Sequence, residues 1–146
     1  MDRQQYQEYI DHFNHKRYDK LKSYFTDDVT VEYFDDAYGP YAPARTLHGP
    51  EEFARNYLAL HAHTREILEL GVFWSEGDKL FAELYTEFHT FKDPPPAENR
   101  TWKKGDVTIM TNWVLYDFDD KGKMKRIRIA HFRNSDPKTA RYLADS

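Results

Sequence analysis

The sequence predicts one α+β domain in which a curved antiparallel sheet wraps around helices that come first in the chain. Two features of the residue pattern support this fold class. Apolar residues recur at helical spacing in the first part of the chain, and from Ile67 onward they alternate or form continuous runs, as in strands. The length of 146 residues is close to the roughly 150 residues of an average domain. We therefore expect residues 1–146 to form a single domain.

Three helices are predicted, each with one apolar stripe. The first covers about Asp2–Asn14, and its stripe is Tyr6, Tyr9, Ile10 and Phe13. The second is short and ends at Thr26-Asp27-Asp28, and its apolar face is Tyr18, Leu21 and Phe25. The third begins at Pro50, a residue that suits the first position of a helix, and its buried stripe is Phe53, Tyr57, Leu60 and His61.

Strands are predicted between and after these helices. Alternation over Val29–Tyr33 indicates the first strand, and the stretch Phe34–Gly49, rich in glycine and proline, indicates a long loop. A loop of this length is usually functional or mobile. The remaining strands are expected at Ile67–Trp74, Leu80–Phe91, Val107–Phe118 and Met124–Phe132.

Composition excludes several classes of protein. The formal net charge is -4 and the basic residues are scattered, so we expect no nucleic-acid partner. The sequence has no cysteine, which excludes disulfides and thiolate metal sites. Its polar start and lack of a long apolar run predict a cytoplasmic protein with no membrane partner.

Aromatic residues make up 16% of the chain, which is typical of a ligand cavity but equally of a small core built from large side chains.

Three segments of the chain resemble the nuclear transport factor 2-like superfamily. They are Tyr24–Glu32, Leu47–Phe53 and Gly122–Ile127. Within the superfamily, the chain is similar to SnoaL-like polyketide cyclases, ketosteroid isomerases and scytalone dehydratase. The resemblance implies a cone-shaped fold with a deep apolar pocket, usually in a dimer. Because the fold hosts both enzymes and binding proteins, the resemblance is more specific for fold than for function.

The hairpin between the last two predicted strands decides which residues face this pocket. An even-numbered loop pairs even residues of one strand with odd residues of the other, which places Asn112 opposite Ile129. The face that carries Arg126 and Arg128 is assigned to the outside, because buried arginines need partners. The pocket face is then Thr108, Met110, Asn112, Val114, Ile127, Ile129 and His131, joined by Leu84, Thr86 and Phe88 of the preceding strand. The outward residues of that strand are Glu83, Tyr85, Glu87 and His89, and its glutamates are expected to pair with the two arginines at a dimer face.

Candidate catalytic groups come from the resemblance and from side-chain chemistry. Tyr9 resembles the oxyanion-hole tyrosine of ketosteroid isomerases, and Asn112 resembles the position of their second donor. Tyr33 stands where those enzymes carry an aspartate base and where scytalone dehydratase carries a tyrosine. His131 and His61 are the candidates for moving a proton, since histidine titrates near neutral pH.

The remaining candidate site residues are predicted to contact the substrate. Asp35 and Asp36 lie in the loop at the expected pocket mouth. The residues expected on the pocket wall are Phe13, Tyr57, Leu84, Thr86, Phe88, Met110, Val114 and Ile129. The chain also departs from each subfamily, because the catalytic aspartate of the cyclases falls on Ile129 and the two dehydratase histidines fall on Leu84 and Asp106.

These observations predict a cofactor-independent isomerase, lyase (dehydratase) or cyclase that acts by acid/base chemistry on an apolar oxygenated metabolite, such as a polyketide or terpenoid. The alternative is a small-molecule-binding or dimerisation module of the same fold without catalysis. No cofactor and no metal site are expected. A homodimer is expected through the outer sheet face, where Trp113 lies among charged residues.

Overall fold

A computed structural model describes residues 1–35, 42–98 and 101–142 of the chain. In these ranges the fold consists of three α-helices and a curved, open sheet of six strands, which confirms the predicted fold class. The helices are α1 (Arg3–Asn14), α2 (Tyr18–Lys22) and α3 (Gly49–His61). The strands are β1 (Phe25–Phe34), β2 (Arg45–His48), β3 (Thr64–Glu76), β4 (Lys79–Thr90), β5 (Val107–Phe118) and β6 (Met124–Ser135).

The strands are arranged in the order β2-β1-β6-β5-β4-β3. The four strands after α3 pair antiparallel with their neighbours in sequence, which confirms the strands predicted from Ile67 onward. β1 lies parallel to β6 and so joins the first strand to the last. α1 packs on β3 and α3 packs on β1, so the sheet curves around an apolar interior covered by helices.

Two predictions near β1 are wrong. Phe25 is the first residue of β1 and does not belong to α2, because it pairs with Met124 of β6. The three residues after Phe25 continue the strand through an irregular register instead of ending a helix. The predicted loop Phe34–Gly49 contains the short strand β2, which pairs with Thr30–Tyr33. In both cases hydrogen bonds to a distant strand decide the structure, and local residue pattern does not record them.

The predicted pairing of β5 with β6 places the correct residues on each face, but the register is wrong by two residues. Val114 lies opposite Ile129, so Asn112 lies opposite His131 and not opposite Ile129. Even residues of β5 therefore share a face with odd residues of β6, as predicted. Past this point β6 contains one extra residue, Phe132, and the register shifts.

Helix α1 is fixed at its start by a capping box and along its length by buried rings. The Asp2 side chain accepts a hydrogen bond from the Gln5 backbone N–H, and the Gln5 side chain accepts one from the Asp2 N–H, both at 2.8 Å. The predicted apolar stripe is buried throughout. Within it, the fully enclosed Tyr6 hydroxyl lies 2.6 Å from the Tyr116 hydroxyl of β5. This contact ties the helix to the sheet inside the core.

The two arginines on the outer face form ion pairs within the chain. The ion pairs are Arg126–Glu32 and Arg128–Asp117. Glu83 of β4 instead accepts a hydrogen bond from the Trp113 indole at 2.9 Å. Within the chain, carboxylates on β1 and β5 thus pair with the guanidinium groups, and pairing of the β4 glutamates with them at a dimer face stays a prediction.

Glu87 and His89 face outward, as predicted, but they are buried beneath the last described residues of the chain. The Glu87 carboxylate accepts hydrogen bonds from the backbone N–H groups of Arg141 at 2.6 Å and Tyr142 at 3.2 Å. The imidazole of His89 lies 2.7 Å from the same carboxylate. The outer face of β4 is thus partly covered by Arg141 and Tyr142.

We predict that the Tyr6–Tyr116 contact stabilises the fold only as a pair. Tyr116→Phe leaves the enclosed Tyr6 hydroxyl without a partner, so the free energy of unfolding should fall by about 1–3 kcal/mol. The double variant Tyr6→Phe/Tyr116→Phe removes both hydroxyls and should be less destabilised than the sum of the single variants. Urea denaturation of wild type and all variants measures the coupling. Additive single effects would contradict the prediction.

Candidate active site

A cavity of about 240 Å³ lies between the concave face of the sheet and helices α1 and α3. Most of its wall is apolar or aromatic. The predicted site residues that line it are Tyr9, Phe13, Tyr33, Asp35, Tyr57, Leu84, Thr86, Phe88, Met110, Asn112, Val114 and Ile129. They meet there because alternate residues of β4, β5 and β6 share the inner face. Their roles in binding and catalysis stay predictions.

Two of the predicted site residues that the structure describes, His131 and His61, are not among those that line the cavity. Asp36 lies outside the described residues. The imidazole of His131 lies 2.8 Å from the Asn134 side-chain oxygen and is not among the described residues that line the cavity. His131 is on the expected face of β6. However, the described pairing of β6 with β1 ends at Ala130, so His131 lies beyond the edge of the cavity. The expectation that His131 lies in the pocket is therefore corrected.

His61 lies one layer behind the cavity wall, between a phenol and a carboxylate. Its Nδ1 is 2.7 Å from the Tyr18 hydroxyl, and its Nε2 is 3.0 Å from Oε1 of Glu66. Glu66 lines the cavity with only 8% of its side chain exposed. Burial, reinforced by the charge of Glu66, raises the pKa of Tyr18 to about 12. The phenol therefore keeps its proton near neutral pH. In the tautomer in which Nδ1 accepts a hydrogen bond from Tyr18, the imidazole proton is on Nε2 and is donated to Glu66.

Glu66 is one of the cavity residues that sequence reasoning missed, together with Arg45, Asn56 and Trp102. Glu66 lies one position before the predicted strand Ile67–Trp74, whereas β3 begins at Thr64. In the sheet, Glu66 pairs with Phe88 and Leu68 pairs with Thr86, so both face the cavity. The signal was present in the sequence, because the alternation that contains Leu68 extends one step backwards to Glu66.

A second polar group on the wall consists of two phenols and a guanidinium. The hydroxyls of Tyr33 and Tyr57 are 2.5 Å apart, and the Arg45 guanidinium carbon lies 4.4 Å from the centre of the Tyr33 ring. Burial raises the pKa of Tyr33 to about 12, although the hydrogen bond from Tyr57 and the charge of Arg45 act in the opposite direction. Both phenols therefore stay protonated near neutral pH.

Two hydrogen-bond donors on the wall are free to meet a ligand. Tyr9 packs edge-on against Tyr24 and Tyr116 with ring centroids 5.1 and 6.3 Å away. Its hydroxyl has no hydrogen-bond partner among the described residues, and the same holds for the Asn112 side chain. Burial, followed by the neighbouring Tyr116, raises the pKa of Tyr9 well above its ordinary value. Tyr9 can therefore act as a donor without losing its own proton.

The sequence over residues 6–127 matches the model of the SnoaL-like domain family. The chain belongs to this family. The match covers most of the chain and agrees with the nuclear transport factor 2-like fold of the structure. No curated protein matches the sequence at a significant level.

Solved structures with this SnoaL-like architecture include proteins of several activities. A SnoaL-like polyketide cyclase from Agrobacterium tumefaciens superimposes with a TM-score of 0.64 at 18% identity, covering 88% of both chains. An LEH-like epoxide hydrolase from Mycobacterium tuberculosis gives 0.60 at 10% identity, covering 85% of this chain and 77% of its own. SalBIII, an epoxide hydrolase/cyclase-like enzyme of pyran ring formation in salinomycin, gives 0.62 at 19% identity, covering 86% and 85%. Similarity at this level of identity shows a shared fold.

The described ranges of the chain are residues 1–35, 42–98 and 101–142. These ranges contain no group of three His, Cys, Asp or Glu side chains placed to hold a metal ion. None of the helices described there is long and apolar enough to cross a membrane.

We predict that this SnoaL-like domain loses stability in alkaline solution because of its buried phenols. The Tyr33 pKa rises from 10.0 to about 12 on folding. Above about pH 10 the unfolded chain releases the proton and the folded chain does not, so the free energy of unfolding falls as pH rises toward 12. Urea denaturation from about pH 8 to pH 11.5 measures this slope. Tyr33→Phe should make the slope shallower, and an unchanged slope would contradict the assignment to Tyr33.

Proposed function

We propose that this SnoaL-like domain is a cofactor-independent isomerase, lyase or cyclase that moves protons on a small, apolar, oxygenated molecule. The observation that carries the proposal is the chain of Tyr18, His61 and Glu66, which ends on a carboxylate inside a largely aromatic cavity. A nearly enclosed carboxylate that faces a ligand cavity and is held by an imidazole suits a general base.

Cavity size and lining support a compact substrate. A cavity of ~150 Å³ lined by apolar side chains holds a benzene molecule. The volume of about 240 Å³ therefore suits one or two small rings. Aromatic side chains such as Phe13, Phe88 and Trp102 line this space, which favours a fragment of a polyketide or a terpenoid.

The proposed first step is removal of a proton by Glu66 from a carbon next to a substrate carbonyl. The C–H electron pair becomes the new C=C bond, and the carbonyl π electrons move onto oxygen to give an enolate. Tyr9 and Asn112 donate hydrogen bonds to that oxygen as its charge develops. Because His61 occupies Oε1 of Glu66, Oε2 is left to face the substrate.

The second step decides the reaction class. The enolate can take the proton back from Glu66 at another carbon, which is isomerisation. It can expel a hydroxyl group that leaves as water with that proton, which is elimination. It can also attack a second carbonyl carbon, which closes a ring, and Glu66 then gives its proton to the new alkoxide. The names of the cyclase and the epoxide hydrolase/cyclase-like neighbours support chemistry of this kind on the shared fold.

Replacement of the base tests the proposal. The probe is 3-cyclohexen-1-one, whose conversion to the conjugated 2-cyclohexen-1-one is followed by ultraviolet absorbance. Glu66→Gln should lower kcat by roughly 100-fold or more, because an amide cannot accept the proton. Glu76→Gln is the matched control, since Glu76 is an exposed residue at the far end of the same strand. Equal losses in the two variants would contradict the role of Glu66.

Two further measurements separate the proposal from its alternatives. His131→Ala should retain kcat within about threefold of wild type, because the His131 ring is turned to Asn134. A wild-type protein that binds cyclic ketones, but turns over no ketone, β-hydroxyketone or diketone probe, would overturn the enzymatic proposal. That result would favour a binding module without catalysis.

The outer sheet face is proposed to form a homodimer. Trp113 and Phe132 stack there with ring centroids 4.0 Å apart, and 38% and 48% of their surfaces are exposed. Exposed aromatic rings surrounded by ion pairs are typical of an interface core and its polar rim. Light scattering should give about twice the monomer mass, and Trp113→Ala should favour the monomer. Leu58→Ala, at an exposed apolar residue of α3, is the control, and a monomeric wild type would contradict the proposal.

A further inference from the structure

We propose that Arg45 and Asn56 form a carboxylate-binding subsite at the cavity opening, and that the ligand carries a carboxylate on an apolar ring. This inference deepens the proposed function by naming a substrate class. The inference depends on the proposed function only for the reaction that the bound ligand undergoes. Binding of a carboxylate at the subsite does not require that a proton is moved.

Arg45 is held in place at the opening by two neighbours. It is the first residue of the edge strand β2, and it is exposed while also lining the cavity. Its guanidinium lies 4.4 Å above the Tyr33 ring, and its Nη1 donates a hydrogen bond to Oδ1 of Asn56 at 3.1 Å. A cation stacked on a ring and fixed by hydrogen bonding loses little freedom when a ligand binds.

The charge of Arg45 is not neutralised by an ion pair within the described ranges. Its described contacts are the Tyr33 ring and the Asn56 side chain, both of them uncharged. The acidic side chains on the cavity wall are Asp35 and Glu66, and Glu66 is bonded to His61. A guanidinium has five N–H donors, and its described hydrogen bonds go to the Asn56 side chain and the Tyr33 hydroxyl, so N–H donors are left for a planar anion.

The hydrogen bond from Arg45 also fixes the orientation of the Asn56 amide. Because Oδ1 accepts from the guanidinium, the free end of the side chain is the Nδ2 amino group, which can only donate. Asn56 lines the cavity, so this donor lies on the same wall as Arg45. Neighbouring N–H groups from a cation and an amide match the two oxygens of a carboxylate.

The position of the subsite sets the orientation of the ligand. Arg45 is exposed, whereas the rings of Phe13 and Phe88 line the buried part of the cavity. A ring carboxylic acid would therefore insert its ring and leave the carboxylate at the opening. A neutral ring of the same size would gain the apolar contacts but not the charge-assisted hydrogen bonds.

Binding of a matched pair of probes tests the inference. The probes are 2-naphthoate and its neutral amide, 2-naphthamide, and their Kd values are measured by isothermal titration calorimetry at neutral pH. Wild type should bind the acid about tenfold more tightly than the amide. Arg45→Gln should remove this preference and leave amide binding within about twofold.

Two variants keep the test specific to this subsite. Arg55→Gln is the charge-matched control, because Arg55 is an exposed residue of α3 that is not among the described lining residues, and it should keep the preference for the acid. Asn56→Asp places a carboxylate beside the guanidinium, 3.1 Å away in the present geometry. It should abolish the preference with almost no change in side-chain size.

Each outcome decides for or against the subsite. Equal affinity of wild type for the two probes, no measurable binding of naphthoate, or an equal loss in Arg45→Gln and Arg55→Gln would overturn it. Loss of the preference in Arg45→Gln and Asn56→Asp alone would support it. The proposed function is judged separately, because its kinetic probe is a neutral ketone and its decisive variant changes Glu66.

Discussion

The register between β5 and β6 is the constraint on which the rest of the structure depends. Val114 lies opposite Ile129, and a shift of one residue would exchange the two faces of the hairpin. Arg126 and Arg128 would then point into the apolar interior, away from Glu32 and Asp117. An unpaired charge in such an interior lowers the free energy of unfolding by roughly several kcal/mol. The charges on one face therefore help to fix the cavity on the other.

A second constraint comes from building the interior out of tyrosines. A phenol brings apolar area into the core, but an enclosed hydroxyl without a partner costs about 1–3 kcal/mol. The structure meets this requirement by joining hydroxyls in pairs, Tyr6 with Tyr116 and Tyr33 with Tyr57. Tyr9 is left over beside the cavity, where a ligand oxygen can supply the missing partner. Pairing of the other core hydroxyls thus leaves the Tyr9 hydroxyl as a hydrogen-bond donor at the site.

The sequence predicts the features that follow from periodicity. The stripe of α1, the buried face of α3 and the parity of the last hairpin all appear in the structure as predicted, because each is set by local spacing and by burial. Features set by distant pairing are missed. The strand β2 exists because β1 offers it hydrogen bonds, and Phe25 is in a strand because Met124 lies beside it.

The candidate site was predictable to the same extent. Its wall follows from strand alternation, and Tyr9, Tyr33 and Asn112 lie where that alternation and the helical stripe place them. Strand ends are less well determined by sequence, and both errors concerning the proton-moving group arise there. Glu66 lies one residue before the predicted start of its strand, and His131 lies where β6 has run past the cavity.

The relation between His61 and Glu66 explains why a histidine behind the wall can matter more than one at its rim. An ionised carboxylate with little exposure needs donors to replace the water it has lost. Nε2 of His61 is placed to supply one such donor, and the Tyr18 hydroxyl contacts the other ring nitrogen. The Phe13 ring is nearly perpendicular to the His61 imidazole, with ring centroids 5.4 Å apart, and limits rotation of the imidazole. The orientation of the Glu66 carboxylate is thus held by His61 and, behind it, by Tyr18, neither of which lines the cavity among the described residues, so the carboxylate is in place before a ligand arrives.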